Sequence, residues 1–109
     1  MTGQDRIAEF KEVLELMPED AVVRFGLAGA YLDAGDAENA VAEYREAIRL
    51  KADYSAAYRG LGRALEQAGR PDEAKAAYTT GGEVAARNGD LQTKKEIEVF
   101  LRRLAARAP

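Results

Sequence analysis

The chain has 109 residues, of which 47% are apolar and 32% charged, and a formal net charge of −3; this is the composition of one small folded domain and not of a disordered segment. It contains no Cys and no His, which excludes a disulfide framework, the thiolate and imidazole ligands of most transition-metal sites, and Cys- or His-dependent nucleophiles. The net charge is too mild to point to a nucleic acid or membrane partner, although five Lys or Arg against three Asp or Glu from Asp90 onward leave the rest of the chain acidic.

In chain order, the N-terminal stretch MTGQDRIAEF lacks the apolar core of a secretory signal, and no run approaches the length of a membrane span. A cytoplasmic protein is therefore expected. Apolar residues recur three and four apart among strong helix formers, and nothing alternates with period two, so helix is expected throughout. Short breaks fall at Met17-Pro18, Ala34-Gly35-Asp36, Lys51-Ala52-Asp53, Gly69-Arg70-Pro71 and Asn88-Gly89-Asp90. Gly or Asn there suits a left-handed helix end, Asp36, Asp53 and Asp90 suit the start of the next helix, and Pro71 suits a first turn. Six helices follow, at about 4–17, 20–34, 37–51, 54–68, 71–87 and 91–107.

A shift of 34 residues lays Leu27 on Leu61, Gly35 on Gly69, Ala40 on Ala74 and Tyr44 on Tyr78. Helix, glycine turn and helix at this period resemble the tetratricopeptide repeat family, whose pattern is W-x2-L-G-x2-Y, then A-x3-F, then P. Leu27, Ala28, Tyr31 and Ala40-x3-Tyr44 carry the likeness in one copy, with Arg24 where the aromatic is expected; Tyr58, Leu61, Gly62 and Ala74-x3-Tyr78 carry it in the next, with Leu65 in place of its Tyr. Phe10 and Pro18 match a preceding half copy, in which Arg6 stands where Ala is expected, whereas the segment from Leu91 keeps none of the motif. The resemblance implies an all-α fold of antiparallel helix pairs stacked as a short right-handed solenoid. One domain, 1–109, would comprise a half-repeat helix at 4–17, repeats at 21–54 and 55–88, and a capping helix at 90–107.

The segment YRGLGRAL, Tyr58 to Leu65, has a glycine pattern that suggests a phosphate loop, but such a loop follows a strand, and none is expected here. The repeat places it within a helix, with Gly62 as a close-packing position and Gly60 as a helix glycine that the pattern leaves unaccounted for. Gly81, in TTGGE, reads as a thin or flexible point of its helix.

In the family, the first helix of each pair lines a concave groove that receives peptides. The resemblance therefore implies a groove built from Phe25, Leu32, Arg59, Arg63, Glu66 and, from the last helix, Lys94. Arg59 and Arg63 are four apart and share a helix face, so their guanidiniums can grip a carboxylate; Phe25 and Leu32 offer an apolar subsite. The expected function is a protein-interaction scaffold or adaptor, not an enzyme. It needs no cofactor or metal and binds a protein or peptide partner that is acidic or ends in a free carboxylate, with no nucleic acid and no membrane. The chain is expected as a monomer or weak homodimer. The alternatives are a structural homo-oligomer assembled through terminal helices and a chaperone-like holder of a client segment. Ile97, Phe100, Leu101, Leu104 and Ala108 make the last helix amphipathic and basic, which suits a cap that covers the end of the array.

Overall fold

The computed structural model describes residues 2–108; Met1 and Pro109, the ends of the expected domain, lie outside them. Six helices follow one another: α1 (Gly3–Leu16), α2 (Ala21–Asp33), α3 (Ala37–Leu50), α4 (Ser55–Gln67), α5 (Pro71–Asn88) and α6 (Leu91–Arg107). Side chains supply most of the starts. Thr2 and Asp5 form a reciprocal capping box, and Asp20, Asp36 and Asp90 accept from the backbone N–H groups of Val23, Asn39 and Thr93, satisfying donors that a first turn leaves free.

Asp53 does not act as the expected cap. Tyr54 occupies that position on α4 without a side-chain bond, and the Asp53 carbonyl accepts instead from the Asn88 side chain at 2.7 Å. Gly35, Gly69 and Gly89 have φ of +80°, +76° and +71°. In each turn the next N–H returns to a carbonyl five residues back, Asp36 to Tyr31, Arg70 to Leu65 and Asp90 to Ala85. That closure requires a left-handed residue, which only glycine adopts cheaply.

Consecutive helices pack against each other along the whole chain. In addition α2 packs on α4 and α4 on α6, whereas among the described residues the backbones of α1, α3 and α5 stay apart, α3 and α5 being linked by the Arg45–Glu73 ion pair at 3.5 Å. The helices that meet lie on the inside of the curve, so α2, α4 and α6 form the concave side. Leu27, Leu65, Tyr78 and Ile97 are the largest fully buried side chains, between wholly buried alanines such as Ala28, Ala40, Ala64 and Ala74.

Three aromatic rings set the spacing. Phe10 lies against Gly26, Tyr44 against Gly60 and Tyr78 against Gly62, each so close that a methyl on the glycine would overlap the ring. Gly26 and Gly60 are themselves one repeat apart, and both meet the ring of the helix before them. This accounts for Gly60, which keeps α4 thin where Tyr44 crosses it. Gly81 is likewise a contact position and not a weak point, since a Cβ there would lie 2.6 Å from the Tyr58 Cβ and 3.0 Å from the Ile97 Cδ1.

Candidate functional site

The concave face is built on α4, with α2 on one side and α6 on the other. Phe25 on α2 is half-buried, stacked on Tyr54 at 5.1 Å and set edge-on to Tyr44 at 5.7 Å. Burial raises the pKa of both the Tyr44 and Tyr54 hydroxyls, because a phenolate loses solvation in that aromatic cluster. Leu32, two turns on, is partly buried against the core.

Arg59, Arg63 and Glu66 share the face of α4 turned towards α6. Arg59 bonds Glu96 at 3.1 Å, Arg63 lies over the Phe100 ring at 5.9 Å, and Glu66 accepts from the Tyr78 hydroxyl and from Arg107. Burial, followed by the bond to Glu66, raises the Tyr78 pKa far above the usual phenol range.

Lys94 does not join this group. It pairs with Glu98 on its own helix at 3.5 Å, and the α6 residues that reach the arginines are Glu96, Phe100, Arg103 and Arg107. The displacement follows from helix length. α5 has 18 residues against 14 for α3, and Glu96 and Phe100 stand beside Arg59 and Arg63 three places beyond the 34-residue frame. Ile97 thus packs on α5 at Gly81 and Gly82.

Between α4 and α6 lies a cavity of about 620 Å³ lined by Arg63, Glu66, Gln67, Phe100, Arg103 and Arg107, among others. Arg107 is paired with Glu66, but among the described residues neither Arg63 nor Arg103 has a carboxylate within 4 Å. Two guanidiniums on facing helices are therefore available to an anion above an aromatic floor. Beyond the Glu66–Arg107 pair, a second cavity of about 480 Å³ is lined by Pro71, Leu101 and Leu104. Among the described residues no carboxylate group is arranged to hold a metal ion, and no helix is long and apolar enough to cross a membrane.

The family model described as tetratricopeptide repeat matches residues 31–96 of this chain. The chain belongs to the tetratricopeptide repeat family. A TPR repeat-containing protein of Pseudomonas aeruginosa is 43% identical over 86 residues, 79% of this chain and 82% of that protein. Among solved structures, a Bordetella parapertussis protein is similar with a TM-score of 0.81 and 31% identity, over 92% of this chain and 87% of its own. The TPR2B domain of yeast Sti1, solved as a complex with pHsp70, superposes with a TM-score of 0.92 over 97% of this chain and 85% of its own; at 17% identity the likeness is one of fold. The second TPR domain of human RPAP3, solved with the HSP70 peptide SGPTIEEVD, has a TM-score of 0.70 and 25% identity over 84% of this chain and 78% of its own. The tetratricopeptide fold is a protein-interaction module, and the six-helix array here is of that kind.

Proposed function

We propose that this tetratricopeptide chain is a non-catalytic cytoplasmic adaptor whose concave face binds an acidic or carboxy-terminal peptide segment of a partner protein. It works as one domain, with α1 as a half-repeat, residues 21–54 and 55–88 as repeats and α6 as the cap. The observation that carries this reading is the pair of guanidiniums, Arg63 and Arg103, facing one cavity over Phe100 with no carboxylate among the described residues engaging them. A carboxylate placed between them gains charge-assisted bonds from both sides. Phe25, Leu32 and Tyr54 supply an apolar stretch for the residues that precede the anchor. Arg59 is a lesser contributor, because Glu96 holds it, and Lys94 is turned to Glu98. Likeness to the RPAP3 domain, which was solved with an acidic peptide, supports the same ligand class.

The test is calorimetric titration with SGPTIEEVD as probe, in its free-acid and C-terminally amidated forms. Binding of the free acid that falls by about tenfold or more, roughly 1.4 kcal/mol, in the Arg63→Glu, Arg103→Glu double variant is the expected result. Equal binding by the wild type and that variant would remove the anchor.

A further inference from the structure

We infer that this chain associates head to tail with further copies of itself, α6 of one copy packing on α1 of the next. The inference is independent of the peptide reading and rests on two uncovered helix faces that match. Within the chain, α2 and α3 form an antiparallel pair tied by Arg24–Glu43 at 2.9 Å and, at the open end, by Arg49–Glu19 at 3.1 Å. α1 stands in the place of α3, because Phe10 meets Gly26 as Tyr44 meets Gly60. α6 stands in the place of α2 and α4, with Glu96 and Phe100 alongside Arg59 and Arg63. Among the described residues, α1 packs only on α2, and nothing packs on the side of α6 away from α5 and α4.

Carrying the α2–α3 geometry over to α6 and α1 puts Lys95 where Arg24 stands and Glu9 where Glu43 stands. The antiparallel order brings the start of α6 to the end of α1, so Leu91, 62% exposed, meets Leu16 and Met17, 85% and 47% exposed. The other end brings Arg102 to Asp5.

The charges on these faces are opposite and unspent. Among the described residues Glu9, Glu12 and Glu15 have no cationic partner, Lys95 and Arg102 have no carboxylate, and all five are exposed. The two bases of α1 are engaged within the chain, Arg6 with Asp33 and Lys11 over the Tyr31 ring, which leaves the outer side of α1 acidic. A second copy is the occupant because one molecule carries both halves of the match: charge complementarity sets register and partner, and apolar ends supply contact area. The two faces differ, so the contact is heterologous and adds copies in series.

Sedimentation velocity on the full chain, from low micromolar to near-millimolar concentration, tests this at about 0.02 M and about 0.5 M salt. The expected result is a weight-average mass that climbs above the 11.8 kDa monomer with concentration and falls back at high salt. Glu9→Lys with Glu12→Lys makes both end faces basic, and Lys95→Glu with Arg102→Glu makes both acidic. Each double variant alone should sediment as a monomer with unchanged helicity, and an equimolar mixture should associate again. A wild type that stays monomeric at the highest concentration overturns the inference. So does association that survives either charge reversal, or a mixture that fails to restore it.

Discussion

Tyr44 lays its ring on the bare backbone of Gly60, across the junction between α3 and α4, and leaves no room for a side chain there. Intrinsic preference opposes glycine within a helix by about 1 kcal/mol relative to alanine. Overpacking a full core costs about 1–3 kcal/mol, so the contact outweighs the preference. Gly60→Ala is expected to lower stability by about 1–2 kcal/mol, read from the midpoint of urea unfolding. In a Tyr44→Ala background the same substitution should become neutral or stabilising, by up to about 1 kcal/mol. A stabilising effect in the wild type would show that the ring yields.

Glu66 joins the core to the groove, holding the Tyr78 hydroxyl on one side and Arg107 on the other. Replacing it by alanine strips the buried hydroxyl of its acceptor, at about 1–3 kcal/mol. The same change frees the Arg107 guanidinium beside Arg63 and Arg103. Glu66→Ala is therefore expected to melt earlier and yet bind SGPTIEEVD more tightly, with a steeper salt dependence. Thermal unfolding and calorimetry on one preparation separate the two effects, and parallel losses would contradict this division of roles.

The arginines of α4 should not be equivalent. Arg59 is about one-quarter exposed and bonded to Glu96, whereas among the described residues Arg63 has the Phe100 ring and no carboxylate partner. Arg63→Ala should weaken probe binding by about 1 kcal/mol or more, while Arg59→Ala should change it by less than about 0.5 kcal/mol and instead loosen the start of α6. Anisotropy with a labelled probe decides the ranking, and hydrogen exchange at residues 93–97 reports the loosening.

Acid should act on α6 before it acts on the core. The Ser55 hydroxyl donates to Asp90 at 2.7 Å, and together with the Thr93 bonds it holds the Asp90 carboxyl below its ordinary pKa. A depressed folded value means a contribution that is complete above the unfolded value of about 3.9 and is lost as pH falls through the folded one. Wild-type α6 should stay capped at pH 5 and fray below about pH 4. Ser55→Ala should move that fraying to higher pH, followed by carbon-detected titration of Asp90. An Asp90 titration that does not respond to Ser55→Ala would assign the depression to the Thr93 bonds and the Arg59 charge.

All six helices were legible, and the repeat turns with them, because punctuation and packing share one period: Gly35 with Gly69, and Tyr44 with Tyr78. The same comparison sets Gly26 on Gly60 and held the signal for the ring contacts, but a glycine inside a helix carries no label that says what crosses it. Gly81 was hidden for the same reason, since its neighbours Tyr58 and Ile97 come from two other helices. The last part of the groove was out of reach for a different reason. The longer α5 advances α6 past the repeat frame, so Lys94 turns to Glu98 while Arg103 and Arg107 reach the cavity. Motif residues locate a helix within a repeat, but α6 has none, and its rotation is set by where Ile97 finds a hole.

Because Phe10 is received by Gly26 and Tyr44 by Gly60, the unit formed by α2 and α3 carries the socket for its predecessor and the plug for its successor. The units are thus ordered like links that fasten in one direction. A unit lengthened, excised or duplicated in whole 34-residue steps keeps every plug beside a socket, whereas a change of any other length strands a ring against a side chain. The array is therefore free to vary in number but not in phase, and damage at one junction stays with the two links it joins.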